Sequence, residues 1–271
     1  MDVDVRQGTI STADEEWLTL SSDGAVLKVP EIAAYLMRDG REIVVDPAPD
    51  AAERNVRLYL LGSAMGVLLH QRGLLPLHAN AIEVDGRAIA VMGESGAGKS
   101  TLAAWLHDVG HRIVADDVCV VGVDEGGRTR VHPGLPRIRL WKDALEHTGR
   151  ESGDYEYSYA GDDAYEKFDV PISSDMSVGA ELDLAAIYLL STGQEFGISR
   201  LAGAEAVEAL FSHTYRGFAV SQLGSNRLHF DASVRVARST PIFRFERSRD
   251  LDAMANDVPK IVEHARRQVG G

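Results

Sequence analysis

Apolar and polar positions change period repeatedly along the 271 residues, and each change marks an element. Short apolar runs at 17–20, 25–29 and 41–45, split by Asp-Gly pairs at 23–24 and 39–40, predict a small β-rich appendage over 1–50. Asp46-Pro47-Ala48-Pro49-Asp50 breaks the chain. Val56, Tyr59, Leu60, Met65, Leu68 and Leu69 then recur at three- and four-residue spacing, which predicts a long amphipathic helix from 51 to Gly73. Residues 77–84 read as a strand, Asp85-Gly86 as a tight hairpin turn, and 87–92 as a buried strand. Helical spacing follows from Lys99, and further strands read at 112–115, 118–123, 129–132 and 137–140. Residues 149–170 carry no period; they are acidic and tyrosine-rich, with Asp162 and Asp163 among them. Such a stretch suits either a mobile functional loop or a solvated insertion. A strand at 184–190, a helix at 204–213, a strand at 242–245 and a terminal helix at 251–267 complete the pattern. An α/β fold follows, with a mixed sheet in which the strands at 87–92 and 112–115 are expected to be neighbours.

Between the strand at 87–92 and the helix from Lys99 stands Gly93-Glu94-Ser95-Gly96-Ala97-Gly98-Lys99-Ser100, a complete G-x-x-x-x-G-K-[ST] phosphate loop. Glycines let successive backbone N–H groups turn inward onto phosphates, and the helix N-terminus adds partial positive charge. With Thr101 these residues form the candidate nucleotide cradle. Lys99 would reach the β- and γ-phosphates, and the Ser100 hydroxyl would ligate Mg²⁺. A nucleoside triphosphate is the expected ligand. ATP is taken over GTP without a base-reading motif.

Net charge is −13 with no basic run, which argues against nucleic acid or an anionic membrane as partner. The longest apolar stretch, 58–69, is too short to span a bilayer. Residues 1–6 lack the pattern of a secretory leader, and the single cysteine, Cys119, lies in an apolar run that reads as a buried structural thiol. A cytoplasmic location is expected.

A phosphate loop needs a carboxylate near its metal and a group to handle the attacking atom. Asp116-Asp117 closes the strand at 112–115, where the chain returns toward the loop's mouth. The competing reading is a turn or helix cap, which Asp favours. His78, on the strand before the loop, reads by itself as a hydrogen-bonded core residue.

The stretch 77–118 resembles the kinase core of HPr kinase/phosphorylase, the bacterial serine kinase that shares its core with PEP carboxykinase. His78, the loop from Gly93 to Ser100, and Val109-Gly110-His111-Arg112-Ile113-Val114-Ala115-Asp116-Asp117 match that pattern in register. The resemblance implies a P-loop kinase domain over 51–271, using ATP and Mg²⁺. It implies Asp116 as the general base, with His78 beside it and Lys99 at the phosphates. It puts Ser100 and Asp117 at the metal. It also implies homo-oligomerisation, since HPr kinases are hexamers. The family's large N-terminal domain and its downstream glycine-rich signature have no counterpart here. A second resemblance, to HPr-kinase-like proteins found beside lasso-peptide biosynthesis enzymes, is carried by 60–73 and 133–141. It implies phosphorylation of the C-terminal Ser of a precursor peptide.

Three functions remain open at this stage. One is an ATP-dependent serine kinase on a peptide or small protein with an accessible Ser, either a lasso precursor or the carrier protein HPr. Another is a nucleotide-gated regulatory ATPase without kinase activity. The third is a small-molecule or PEP-carboxykinase-like enzyme, whose additional metal-binding His and Lys residues are not found in register.

Overall fold

Alternating apolar positions near the N-terminus build a five-stranded sheet. Its strands are β1 (Asp4–Gln7), β2 (Leu18–Ser21), β3 (Gly24–Val29), β4 (Ala33–Arg38) and β5 (Glu42–Pro47), ordered β1-β5-β4-β3-β2. The structure is a computed structural model and describes residues 2–11, 16–21, 23–161, 164–248, 250 and 253–270. β4 has no sequence-level counterpart, because Ala33-Ala34-Tyr35-Leu36-Met37 is apolar throughout and shows no alternation.

α1 (Glu53–Tyr59) continues through a π-turn (Leu60–Ala64) into α2 (Met65–Gln71), so the expected helix forms with one irregular turn. Ala64, Val67 and Leu68 bury against Tyr35, Met37 and Ile43. The packing of the N-terminal sheet therefore runs past residue 50 into this helix.

The next strands are β6 (Leu75–Leu77), β7 (Ala79–Val84), β8 (Arg87–Gly93), β9 (Ile113–Ala115), β10 (Cys119–Val123) and β11 (Thr129–His132), with α3 (Lys99–Asp108) after β8. They are followed by β12 (Arg137–Trp141), α4 (Lys142–His147), β13 (Glu156–Tyr157) and β14 (Lys167–Pro171). The chain closes with β15 (Leu182–Thr192), β16 (Gly197–Leu201), α5 (Gly203–Ser212), α6 (Phe218–Gln222), α7 (Asn226–Ser239), β17 (Ile242–Arg247) and α8 (Met254–Val269). Leu251, where the terminal helix was expected to begin, lies outside the described residues.

A nine-stranded mixed sheet runs β6-β10-β11-β15-β8-β7-β9, with β17 on β15 and β16 on β17. β8 pairs parallel with β15 and antiparallel with β7. The expectation that the strands at 87–92 and 112–115 are neighbours is corrected. The Asp85-Gly86 hairpin folds β7 against β8, so β9 pairs with the far edge of β7. The expected strand at 77–84 also breaks at His78, whose backbone N–H donates to the His213 carbonyl at 2.8 Å.

β8 is covered on both faces, which explains its unbroken apolar run. Ile89 and Val91 face a core with Leu102 and Leu106 of α3 and Ile261 of α8; Ala88, Ala90 and Met92 face one with Leu210 and Val236 of α5 and α7. The aperiodic 149–170 stretch is anchored. β13 and β14 join β12 in a three-stranded sheet, Phe168 and Val170 are buried, and Asn55 of α1 exchanges two hydrogen bonds with Ala160. Asp162 and Asp163 lie outside the described residues.

Ile89→Ala removes a fully buried side chain from the strand that leads the phosphate loop. It should lower unfolding free energy by about 2–5 kcal/mol in denaturant titrations. A loss below about 1 kcal/mol would contradict the double-sided burial of β8.

Candidate functional site

The phosphate loop, His78 and the two aspartates meet at one edge of the sheet, formed by the C-terminal ends of β8 and β9 and the N-terminal end of β7. Gly93 ends β8, and a Cβ there would sit 2.7 Å from the Leu190 carbonyl oxygen of β15, so only glycine fits. Gly98 takes φ 96° and starts α3. The helix has no side-chain cap and no acidic residue in its first turn, so its leading N–H groups remain available to an anion. The buried Lys99 ammonium donates to the carbonyls of Gly93 and Glu94 at 2.9 and 3.1 Å. Burial lowers its pKa to about 8, against the pull of Asp117 and Asp116.

Asp116 and Asp117 follow β9, and the intervening β7 supplies the bridge to them. Asn80 of β7 donates to Asp116 Oδ1, the Ser100 hydroxyl donates to the same oxygen at 3.3 Å, and the backbone N–H of Arg139 donates to Oδ2 at 2.8 Å. Burial first, and then the neighbouring Asp117 charge, push the Asp116 carboxyl up to about 6. Asp117, in the left-handed region at φ 69°, goes the other way. Burial opposes its ionisation, yet Lys167, Arg139 and His78 together hold its carboxyl below the usual range. The Asp117–Arg139 pair spans 3.1 Å, and Lys167 and His78 stand at 3.9 and 3.7 Å.

His78 is placed beside Asp117 rather than on Asp116: its Nδ1–H donates to the Asp117 backbone carbonyl at 3.1 Å. Burial and the Lys99 charge lower its pKa, with Asp117 opposing, so the ring is neutral at pH 7 and presents Nε2 as an acceptor. The sequence-level candidates therefore converge: His78, the residues from Ser95 to Thr101 and Asp117 line one cleft of about 340 Å³. Asp116 sits behind it against Ser100. Ser100 thus touches Asp116, while Asp117 shares the cleft wall with it.

Several site residues were not read from the sequence. Arg139 of β12 pairs with Asp117 and, at 3.0 Å, with Asp169 of β14. Arg137, Lys167 and Arg247 complete the cationic set; Arg247 is buried on Asp257 at 3.2 Å and lines the cleft. Alternation could have flagged Asn80, Arg137 and Arg139. His78 and Asn80 are two apart, and Arg137 and Arg139 alternate with the buried Ile138 and Leu140. Nothing local marks Arg247. A second cavity of about 340 Å³ shares Asp117 with the cleft, and a third of about 620 Å³ shares Arg139 with the second. Cys119 is buried and free, with its thiol pushed up to about 12 by burial, which makes it inert. Among the described residues no cluster of three His, Cys, Asp or Glu could hold a metal, and no helix is long and apolar enough to cross a membrane.

The strand–loop–helix unit in a mixed sheet is that of the phosphate-loop α/β proteins. The chain is similar to HPr kinase/phosphorylase: it is 38% identical to that protein from Caldanaerobacter subterraneus subsp. tengcongensis over 64 residues, 24% of this chain. It spans 20% of the length of that relative. No family model matches the chain. Among solved structures, the Hpr(Ser) kinase/phosphatase from Coxiella burnetii aligns at a TM-score of 0.39 and 13% identity, over 72% of this chain and 99% of that chain.

With a pKa near 8, Lys99 is partly deprotonated at pH 8 in the free protein. A bound triphosphate favours the ammonium and should draw a proton into the protein. Calorimetry at pH 8 in buffers of different ionisation enthalpy should show net uptake in the wild type. It should show none from this position in Lys99→Arg, whose guanidinium is always charged. Equal proton counts for the two proteins would contradict the placement of Lys99 on the phosphates.

Proposed function

We propose that this protein is an ATP-dependent serine kinase that transfers the γ-phosphoryl group to a serine hydroxyl of a peptide or small protein. The observation that carries this reading is the joining of an uncapped phosphate-loop helix to a carboxylate whose basicity is raised, through the Ser100–Asp116 contact. The residues present fit ATP and Mg²⁺. The cleft offers loop N–H groups and Lys99 to phosphates, and a hydroxyl with a carboxylate, Ser100 and Asp117, to a hard cation that prefers oxygen. Asn80 Oδ1 is buried without a donor beside Asp116, an acceptor suited to water held on such a cation. When bound, Mg²⁺ supplies charge neutralisation for the transferring phosphoryl group.

The chain's own residues do the rest. Loop N–H groups and Lys99 hold the phosphates in place. Asp116 accepts the proton of the attacking serine as its oxygen bonds to the γ-phosphorus, and the bond to the β-phosphate oxygen breaks to release ADP. A carboxylate with a pKa near 6 is a better base at neutral pH than an ordinary one. Neutral His78 holds the Asp117 backbone from one side, and Arg139 holds its carboxylate from the other. The C-terminal Ser of a lasso precursor is the leading acceptor, supported by the resemblance of 60–73 and 133–141, ahead of HPr. A cytoplasmic, homo-oligomeric enzyme is part of the same reading.

Asp116→Asn keeps the size of the side chain but cannot take a proton. Transfer of labelled phosphate to a peptide ending in Ser should fall by about 10²–10⁴-fold while ATP still binds. A full-rate variant would overturn the base, and equal labelling of peptides ending in Ser and in Ala would overturn the acceptor. ATP hydrolysis indifferent to any peptide would favour a regulatory ATPase.

The Asp117 charge raises the pKa of Asp116, so its removal lowers that pKa. The wild-type rate should rise with pH through an acidic limb near 6, and Asp117→Asn should move that limb to lower pH. A limb that stays in place or moves upward would contradict the pairing of the two carboxylates.

A further inference from the structure

The cavity that meets the phosphate-loop cleft at Asp117 is walled by Tyr59, Ser63, Tyr159, Tyr165, Tyr215 and Arg216. Its builders are irregular. Ser63 lies in the π-turn between α1 and α2, a feature found often at functional sites. Arg216 adopts the left-handed region at φ 53°, a conformation that costs energy in a non-glycine residue and persists only where its surroundings enforce it.

The charges in this cavity do not balance. Asp117 and Arg139 are paired at 3.1 Å, and Arg139 is paired again with Asp169. Arg216 has no such carboxylate; its side chain hydrogen-bonds that of Tyr215. Its guanidinium lies 5.3 Å from the ring centres of both Trp17 and Tyr215, held by aromatic faces. Its Nε is buried without an acceptor, and no carboxylate among the described residues reaches ion-pair distance. A guanidinium fixed by stacking, without a carboxylate partner, on the wall of a cavity, is a ready receptor for a planar anion.

We propose that Arg216 anchors a carboxylate of the acceptor peptide, so that the acceptor lies in the tyrosine-walled cavity and reaches the phosphate loop past Asp117. The proposal rests on the kinase reading for the direction of entry, though not for the anion. A carboxylate fits better than a phosphate group, because one uncompensated positive charge offsets one negative charge. A dianion would leave excess negative charge beside the ionised Asp117. The tyrosines add large, rigid contact surfaces with hydroxyls that pair with a peptide backbone. The carboxylate has two sources, the C-terminus of a peptide that ends in the acceptor serine or an acidic side chain next to it.

The test uses the full chain and three peptides of otherwise equal sequence. One ends in serine as the free acid, one as the amide, and one is amidated with Asp beside the serine. Binding is followed by Trp fluorescence and calorimetry, and phosphate transfer is measured separately. The wild type should bind the free acid about tenfold more tightly than the plain amide. Arg216→Gln should abolish that preference and Arg216→Lys should restore part of it, with ATP affinity held in both as proof of an intact loop. If the Asp-bearing amide recovers tight binding in an Arg216-dependent way, the anion is a side chain and the anchor stands. Equal binding of acid and plain amide by the wild type, with no gain from the added Asp, would overturn the proposal. So would an Arg216→Gln variant that still discriminates. If discrimination depends on Arg216 but no peptide is phosphorylated, the anchor stands and the kinase reading fails.

Discussion

Two carboxylates set side by side at a strand end repel each other, and burial raises the cost. Arg139 resolves the conflict. Its backbone N–H serves Asp116 and its guanidinium serves Asp117, with Asp169 fixing the far side of the fork. This one residue ties the three-stranded β12–β14 sheet to the ends of β7 and β9. Truncating its side chain would take the guanidinium from Asp117 and Asp169 while leaving the backbone donor on Asp116, a loss larger than that of a surface pair. The arrangement also separates the two acids: one is pushed toward neutrality and the other is held ionised. Carboxylates driven apart in this way take different parts in proton chemistry.

The N-terminal sheet takes part in the site through that same geography. Its core is shared with α2, and the π-turn before α2 lines the cavity beyond Asp117. Trp17, from the segment leading into β2, stacks on Arg216, and its ring meets Phe218 edge to face at 5.0 Å. An appendage remote along the chain thus backs the space through which an acceptor would approach, with Trp17 behind Arg216.

The phosphate loop and its flanking strand and helix were legible in the sequence, whereas His78 by itself read as a core residue and was brought to the loop only by the resemblance of 77–118. Glycines at fixed spacing and a buried strand leave few alternatives. Strand order was not legible. A hairpin turn can be read from Asp85-Gly86, but its consequence, that β7 separates β8 from β9, depends on pairing across the sheet. Arg139 and Lys167 were missed because their partners lie 22 or more residues away; alternation along β12 marks a face for Arg139 but not the carboxylates it pairs with. β4 escaped because it is apolar on both faces, and the 149–170 stretch read as aperiodic because its strands are short and build a sheet outward from β12, β14 on β12 and β13 on β14.

The most direct measurement is a single turnover with enzyme in excess over ATP labelled at the γ-phosphate, in the presence of a peptide ending in serine. If the phosphate-loop cleft transfers phosphate straight to the acceptor, the label should appear on the peptide serine in one exponential phase, with none retained on the protein. Label released only as inorganic phosphate at a rate indifferent to peptide, or lodged first on a residue of this chain, would contradict direct transfer to serine.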